Sequence, residues 1–353
     1  MSQNPYHYAV VVGINRYPAL CDLTAAKQDA GWFRKWLLDP NGGGLFQKNT
    51  KAVMVTLPMV VTVDSAKPTR EAIYAAFDEI FTRVKQVPAE QWHKTRLYLY
   101  FAGHGIAFDT DDATLLAANY CDDQMGRHVS CFELLQYFGR VQFFKELVVF
   151  ADCCRSRAAD RVKRVPPVWS HSTLNNGGIN KFMALAALWG QDAFEEIHLP
   201  VDQRRGYFTR ALMTGLEGAP TAIDPGTHTI TAESLRDHIR EHMRQATPAT
   251  HVAPLEADFI IGGNGVDFGP RPAAAAHRYP VKLTVKSTPL TTLNIEDGRG
   301  TFVSATARIK DQPSTFVCQL PLGLYEAVPG DAGIVASSAW TFKVAVSGTH
   351  AHF

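Results

Sequence analysis

The 353-residue sequence is poor in cysteine, in long apolar runs and in net charge, and each shortage excludes a class of protein. Six cysteines are too few for a secreted disulfide scaffold, so reduced thiols are expected. The longest apolar run, residues 182–189, is far shorter than a membrane span, and the first residues lack the basic region of a signal peptide. A formal charge of +1 provides no general attraction for nucleic acid or a membrane surface. We therefore expect a cytoplasmic protein that binds neither.

What the sequence does contain is the pattern of a globular α/β protein. Hydrophobic residues make up 46% of the chain and charged residues 20%, and we find no low-complexity tract or internal repeat. Residues 6–14, 97–101 and 146–151 are nearly continuous apolar runs, which are typical of central strands in a parallel sheet. Apolar residues at helical spacing follow at 24–38 and from Ile73 to Val84. This alternation predicts a mainly parallel sheet covered by helices on both faces.

Weaker patterns predict further elements of the same domain. Ser130 and Glu133 form the pattern of a capping box, which predicts a helix through Phe138. The other predicted elements are a strand pair at 52–56 and 59–63, strands at 115–118, 182–188 and 258–263, and helices at 207–216 and 231–243.

The pattern changes after residue 265. Residues 281–285 and 340–346 alternate between apolar and polar side chains, which is typical of strands with one face in water. Because 353 residues exceed one ordinary compact core, a second domain is expected. We predict a large domain at 1–265, a linker at 266–276 and a small all-β domain at 277–353.

Two strand ends carry the strongest chemical signal. LYLYFAGHG places His104 just after one strand, and VVFADCCRS places Cys153 and Cys154 just after another. Parallel sheets collect chemistry at the carboxyl ends of their strands, where a thiol beside an imidazole becomes a nucleophile. On these residues alone, a tight turn with a structural imidazole and buried cysteines fits equally well, and a thiol redox couple stays open.

The same residues resemble a known family. YLYFAGHG and VVFADCC are similar to the histidine and cysteine motifs of the caspase-like cysteine peptidases, above all metacaspases and their bacterial relatives. His104 precedes Cys154 by 50 residues, a separation typical of caspases. Two further matches follow the family's order: YAVVVGINRYP with AAKQDA, and GYFTRALMTGLEG with TITAESL. The resemblance spans residues 6–262 and implies a caspase-like fold.

The resemblance implies a role for each matching residue. Cys154, the second residue after Asp152, is the implied nucleophile, and Cys153 takes a variable position. His104 is the implied general base and acid, and the backbone N–H groups of Gly105 and Cys154 form the implied oxyanion hole. The implied reaction is hydrolysis of protein substrates through a thioester.

The resemblance also implies a specificity pocket. Asp29 and Asp152 fall where metacaspase-like enzymes place the acids that bind the residue before the scissile bond. Two carboxylates favour Arg or Lys there. The sequence departs from the family at Ala102, where serine is frequent, and at Arg155–Ser156, which replace the frequent His-Ser-Gly.

Residues 155–178 are rich in basic residues, and we interpret them as an exposed loop. In the family this segment often holds the activating cleavage site. The candidate processing sites are Arg157, Arg161, Lys163 and Arg164. A merely solvated loop is equally consistent with the composition. By analogy, we expect a processing or regulatory partner, a β domain that governs partners or substrates, and a role in bacterial defence or stress.

No cofactor or metal is predicted. Cys121, His128 and Cys131 match no common zinc spacing. The aspartates at 109, 111, 112, 122 and 123 lack the register of an EF-hand, although some metacaspases use calcium. Besides the peptidase, two functions stay open: a catalytically silent caspase-like binding module and a redox protein that uses Cys153 and Cys154.

Overall fold

The computed structural model describes residues 4–54, 62–141, 143–158, 162–167, 169, 178–249, 251–269, 279–285, 291–297, 302–309, 312–320, 323–329, 340–344 and 349–352. In chain order, the elements of the first part are β1 (His7–Gly13), α1 (Ala26–Leu38), β2 (Thr50–Met54), α2 (Arg70–Val84), β3 (Arg96–Ala102), β4 (Gly105–Ala107), β5 (Thr114–Leu116), β6 (His128–Ser130), α3 (Cys131–Arg140), β7 (Glu146–Asp152), β8 (Ser156–Arg157), β9 (Asn180–Leu185), α4 (Tyr207–Leu216), α5 (Ala232–Ala246) and β10 (Asp258–Gly262).

A six-stranded sheet forms the centre of this part, in the order β10–β9–β7–β3–β1–β2. Its strands run parallel except β10, which pairs antiparallel with β9. Every residue of β3 is buried, since helices cover both faces of the sheet. Phe77 of α2 and Leu134 of α3 pack on one face, and Phe33 of α1 and Leu212 of α4 pack on the other. The predicted α/β architecture is confirmed.

The pairing of β3 with β7 places the carboxyl ends of these two strands side by side. Ala102, the last residue of β3, lies opposite Asp152, the last residue of β7. The segments that follow stay together, because β4 and β8 pair in parallel with Ile106 opposite Ser156. A four-stranded sheet in the order β6–β5–β4–β8 continues from this point. The residues between β3 and β4 and between β7 and β8 are therefore neighbours.

The strands after residue 278 form a second sheet. They are β11 (Tyr279–Thr284), β12 (Thr292–Asp297), β13 (Phe302–Ile309), β14 (Gln312–Leu320), β15 (Gly323–Pro329), β16 (Trp340–Val344) and β17 (Thr349–His352). Their order is β16–β15–β12–β13–β14–β11–β17, antiparallel except for the β11–β17 pair. Alternate residues such as Val281, Leu283, Leu293 and Ile295 build a core of their own. The predicted C-terminal strands are confirmed, and the domain boundaries stay predictions.

The structure differs from the sequence prediction around residues 50–65. The first strand of the predicted pair is β2, which begins at Thr50. Residues 59–61 of the second lie outside the described residues, and Val63–Ser65 forms a 3-10 turn.

Candidate active site

His104 and Cys154 line one cavity of about 430 Å³ at the carboxyl ends of β3 and β7. Gly105 allows the chain after His104 to pass close over the cysteines. A Cβ at this position would lie 2.6 Å from the carbonyl oxygen of Cys154 and 2.7 Å from Sγ of Cys153. Any larger residue would push the two strand ends apart, so the Gly-His-Gly turn has a steric reason.

The imidazole of His104 is oriented by residues of the segment after β1. Its Nε2 lies 2.7 Å from the carbonyl oxygen of Cys21 and 3.6 Å from Sγ of the same residue. Since a carbonyl can only accept, the proton of the neutral ring lies on Nε2, and Nδ1 is left with a free lone pair. Tyr17 packs its ring edge against the imidazole, with centroids 4.7 Å apart, and its Oη accepts the N–H of His104. Nδ1 is therefore the ring nitrogen whose lone pair can accept a proton.

The two cysteines occupy different environments. Cys153 lines the same cavity but is buried in the core cluster, where burial raises its pKa well above the ordinary value. Cys154 is half-buried, and its thiol donates to the carbonyl oxygen of Ala193 at 3.7 Å. Burial, together with nearby Asp192 and Asp152, raises the pKa of Cys154 to about 11. At neutral pH the thiol is therefore protonated and needs a base to become a nucleophile.

Two buried carboxylates stand at one end of the cavity, with Gly206 between them. Oδ2 of Asp29, in the first turn of α1, accepts the N–H of Gly206 at 2.8 Å. Asp152 accepts the Oγ1 hydrogen of Thr209 at 2.5 Å and the N–H of the same residue at 3.2 Å. A Cβ on Gly206 would lie 2.9 Å from Cγ of Asp152, so only glycine fits between the two acids.

Burial sets the charge of these acids. Desolvation raises the pKa of Asp152 to about 6, and it raises the pKa of Asp29 well above its usual range. Repulsion from Asp152 adds to the effect on Asp29, while Arg205, with Nε 3.8 Å from Oδ1, opposes it. A cation that entered the pocket would favour the ionised forms of both acids.

The cavity as a whole is acidic. Among the described residues that line it, the carboxylates belong to Asp29, Asp152, Asp192 and Glu195, and there is no lysine or arginine. Arg205 faces Asp29 from outside this lining, and the remaining excess of acids favours a cationic ligand group.

The residue after Cys154 differs from the sequence interpretation. We expected residues 155–178 to be an exposed loop, but Arg155 is fully buried. Its guanidinium donates to the carbonyl oxygens of Asp112 and Ala187 at 2.9 Å each, to that of Thr110, and to Oδ2 of Asp258 at 2.8 Å. Arg155 therefore ties the end of β7 to three other segments.

The basic residues after Arg155 lie in unequal settings. Arg157 belongs to β8 and stacks on Trp189, at 4.1 Å from the ring centroid. Lys163 is exposed, whereas Arg164 lies over Phe132 and 3.6 Å from the Asp112 carboxylate. Arg161 lies outside the described residues. As processing sites all four stay predictions. Of the three described, Arg157 and Lys163 are exposed, and Arg157 is held by its ring contact.

The segment around these residues is docked on the domain at its far end. Trp169 packs against the ring of Phe81, with centroids 5.0 Å apart, and donates from Nε1 to Oδ1 of Asp78 at 2.6 Å. Arg70 donates to the carbonyl oxygen of Pro166 at 2.8 Å. We refer to residues 162–167 and 169 as the docked segment.

The described residues contain no group of three or more His, Cys, Asp or Glu side chains arranged to hold a metal ion. Two of the residues considered as metal ligands in the sequence make protein contacts instead. Nδ1 of His128 lies 2.7 Å from the Met125 carbonyl oxygen, and its Nε2 accepts the N–H of Val165. Asp112 is buried and accepts from Thr114, Ser130 and the N–H of Phe132.

Sequence reasoning missed several residues of this site. Cys21, Arg155 and Glu195 lie outside the matching blocks, and Tyr17, although inside YAVVVGINRYP, carries no sign of its contact with His104. Gly206 and Thr209 do lie inside the block GYFTRALMTGLEG, which was the one signal for them.

These elements define a class of protein: an α/β fold with a thiol and an imidazole at adjacent strand ends. A family model of the caspase domain matches residues 6–264, and the chain belongs to this family, whose members are cysteine peptidases. The predicted family is thereby confirmed. A comparison with curated proteins returned no match.

Two solved structures are similar to the chain. One is the crystal structure of caspase-1 from Spodoptera frugiperda, with 15% identity, 77% of this chain and 93% of that chain covered, and a TM-score of 0.44. The other is a structure of pro-sf-caspase-1, with 16% identity, 74% and 89% covered, and a TM-score of 0.38. In the described part of this chain, no helix has the length and apolar character needed to cross a membrane.

Proposed function

We propose that the chain is a cysteine endopeptidase that cleaves protein substrates after Arg or Lys. One observation carries the proposal: a single cavity joins the Cys154 thiol, the His104 imidazole and the buried carboxylates of Asp29 and Asp152. The first two groups supply the chemistry of peptide hydrolysis, and the last two supply a site for a cationic side chain.

The acylation step uses His104 as base and then as acid. Nδ1 takes the proton of the Cys154 thiol, and the sulfur adds to the scissile carbonyl carbon. The backbone N–H groups of Gly105 and Cys154 stabilise the resulting oxyanion. The C–N bond then breaks, the imidazolium protonates the leaving amine, and a thioester to Cys154 is left.

Water completes the cycle. Nδ1 takes a proton from water, the hydroxide adds to the thioester carbonyl, and the sulfur leaves and recovers the proton from the imidazolium. The high pKa of the buried thiol makes the base necessary, because little thiolate forms without it at neutral pH.

The test is a set of fluorogenic peptides that differ only in Arg, Lys or Asp at the cleaved position. We expect cleavage after Arg and Lys by the wild type and none by Cys154→Ala, with Cys153→Ala retaining activity. A preference for Asp would contradict the acidic pocket. Equal damage from Cys153→Ala and Cys154→Ala would favour a redox function, and failure of an arginyl electrophile to label Cys154 would favour a silent binding module.

We further propose that the chain processes itself in the basic segment, with Lys163 as the first site. Purified protein should be cut there on incubation, and Cys154→Ala should stay intact. If the wild type cuts peptides yet stays full length, self-processing is wrong. An upstream activating protease, a partner at the C-terminal strands and a defence or stress role are proposals that rest on family resemblance. A cytoplasmic location is a proposal that rests on the composition of the sequence.

A further inference from the structure

Helix α1, which carries Asp29, is capped by a residue about 170 positions away. Its N-cap, Ala25, has no side-chain hydrogen bond of its own. Instead, the carboxylate of Glu195 accepts the N–H of Ala25 at 2.8 Å, the N–H of Thr24 at 2.9 Å and the Oγ1 hydrogen of Thr24 at 2.7 Å. These two N–H groups precede the first turn, where Oδ1 of Asn15 accepts the N–H of Lys27 at 2.7 Å. The carboxylate of Glu195 is stabilised by the positive end of the helix.

The loop that carries Glu195 also holds Asp29 directly. Glu195 pairs with Gly206 in an isolated antiparallel bridge, and the N–H of Gly206 donates to Asp29. The loop therefore contacts this part of the chain at two points: Glu195 binds at the start of α1, and Gly206 binds Asp29 about one turn later. Glu196, the next residue, fixes the same loop to α4 through Arg210, with Oε1 2.6 Å from Nε.

Both oxygens of Glu195 accept hydrogen bonds from Thr24 and Ala25, the two residues just before α1. The side chain lines the cavity but has no free acceptor aimed at a substrate, so any effect on specificity must pass through α1. We propose that Glu195 is a positioning residue for basic-residue specificity, which holds the first turn of α1 so that Asp29 stays beside Gly206 in the pocket. This inference rests on the proposed function.

Loss of the Glu195 hydrogen bonds should make the position of Asp29 less fixed and should leave His104 and Cys154 in place. Small displacements of a positioning group cost large factors in rate, and we expect Glu195→Gln to lower kcat/KM for an arginyl peptide about tenfold, mainly through KM. The matched neutral peptide carries citrulline at the cleaved position, and its kcat/KM should change by less than about twofold. A merely structural role would lower both values together.

Two further variants sharpen the experiment. Thr24→Val removes one of the donors and should reproduce part of the loss, and Glu195→Gln/Thr24→Val should be no worse than Glu195→Gln. Glu256→Gln removes an exposed carboxylate near the same face and should leave the arginine-to-citrulline ratio unchanged.

The outcomes separate this inference from the proposed function. If the wild type prefers arginine and Asp29→Asn abolishes the preference while Glu195→Gln keeps it, Glu195 does not position the pocket. If the wild type shows no preference for arginine over citrulline, the acidic pocket and this inference both fail. A reduced ratio in Glu195→Gln with unchanged Glu256→Gln supports the inference.

Discussion

At the scale of single residues, the charge of the pocket depends on pH because its acids are buried. The pKa of Asp152 is raised to about 6 because its carboxylate is desolvated, so the free pocket gains negative charge as the pH rises through that value. A cationic substrate residue gains attraction over the same range. A neutral substrate residue gains no such attraction.

The first prediction uses this difference. The ratio of kcat/KM for an arginyl peptide to that for its citrulline analogue should rise about tenfold between pH 5 and pH 7, with a midpoint near 6. Asp152→Asn should flatten the ratio at a low value, as measured by steady-state kinetics across pH. A constant ratio in the wild type would show that Asp152 does not face the substrate cation.

At the scale of elements, Arg155 shows how the nucleophile is held. It is the first residue after Cys154, and its guanidinium joins the end of β7 to β10 and to the segments around Asp112 and Ala187. Sequence reasoning treated it as the start of an exposed loop, because a run of basic residues follows. Only the tertiary structure reveals the acceptors that make burial of this charge possible.

The second prediction concerns the hydrogen bonds of Arg155. Arg155→Met leaves a carboxylate and three carbonyl groups without their donor, and it should lower the free energy of unfolding by about 3–5 kcal/mol. Arg157→Met, two residues on and exposed, loses its stacking on Trp189 and should lower the free energy of unfolding by less than about 1 kcal/mol. Urea unfolding followed by tryptophan fluorescence measures both, and equal effects would contradict the role of Arg155.

The third prediction concerns the docked segment. In the inactive Cys154→Ala background, trypsin should cut after Lys163 before it cuts after Arg157 or Arg164, which are held by ring contacts. Trp169→Ala should accelerate the cut about tenfold, since the segment loses its anchor and proteolysis follows local opening. Trp92→Ala is the control, since Trp92 contacts Val87 and Phe143 and none of the three basic residues, and mass spectrometry identifies each cut. Earlier cleavage after Arg164 would contradict the docking.

At the scale of the whole molecule, buried histidines set the acid limit of the fold. His238 of α5 lies between the Ala211 carbonyl oxygen and Oγ1 of Thr221, beside the ring of His242. Burial lowers the pKa of His238 from 6.5 to about 4. Between these two pH values the unfolded chain binds a proton at this residue, whereas the folded protein does not. The contribution of the neutral His238 to the free energy of unfolding is complete above pH 6.5 and is lost as the pH falls towards 4.

The fourth prediction follows from that sign. The free energy of unfolding should fall by about 3 kcal/mol between pH 6.5 and 4 through His238 alone. Asp152, whose pKa is raised from 3.8 to about 6, acts in the opposite direction, so the comparison must be with His238→Gln. The variant should be less stable at pH 7 and less sensitive to acid. Parallel pH profiles for the two proteins would contradict the prediction.

Local patterns predicted most of the fold but only part of the site. Helices such as Tyr207–Leu216 and strands such as Glu146–Asp152 follow from periodicity and apolar runs, which act within a dozen residues. Cys154, His104, Asp29 and Asp152 were proposed from motifs. Glu195, which contacts residues about 170 positions away, has no local signal, because its role depends on how the loop after β9 folds over α1.

The adjacency of β7 and β9 has one more consequence. These strands pair in parallel over six residues, although the chain between them runs through the whole basic segment. A nick there would assign Cys154 and His104 to one polypeptide and Glu195 and Gly206 to the other. Encoded as two separate genes, each half would be inert, and activity would depend on both products being made in matching amounts.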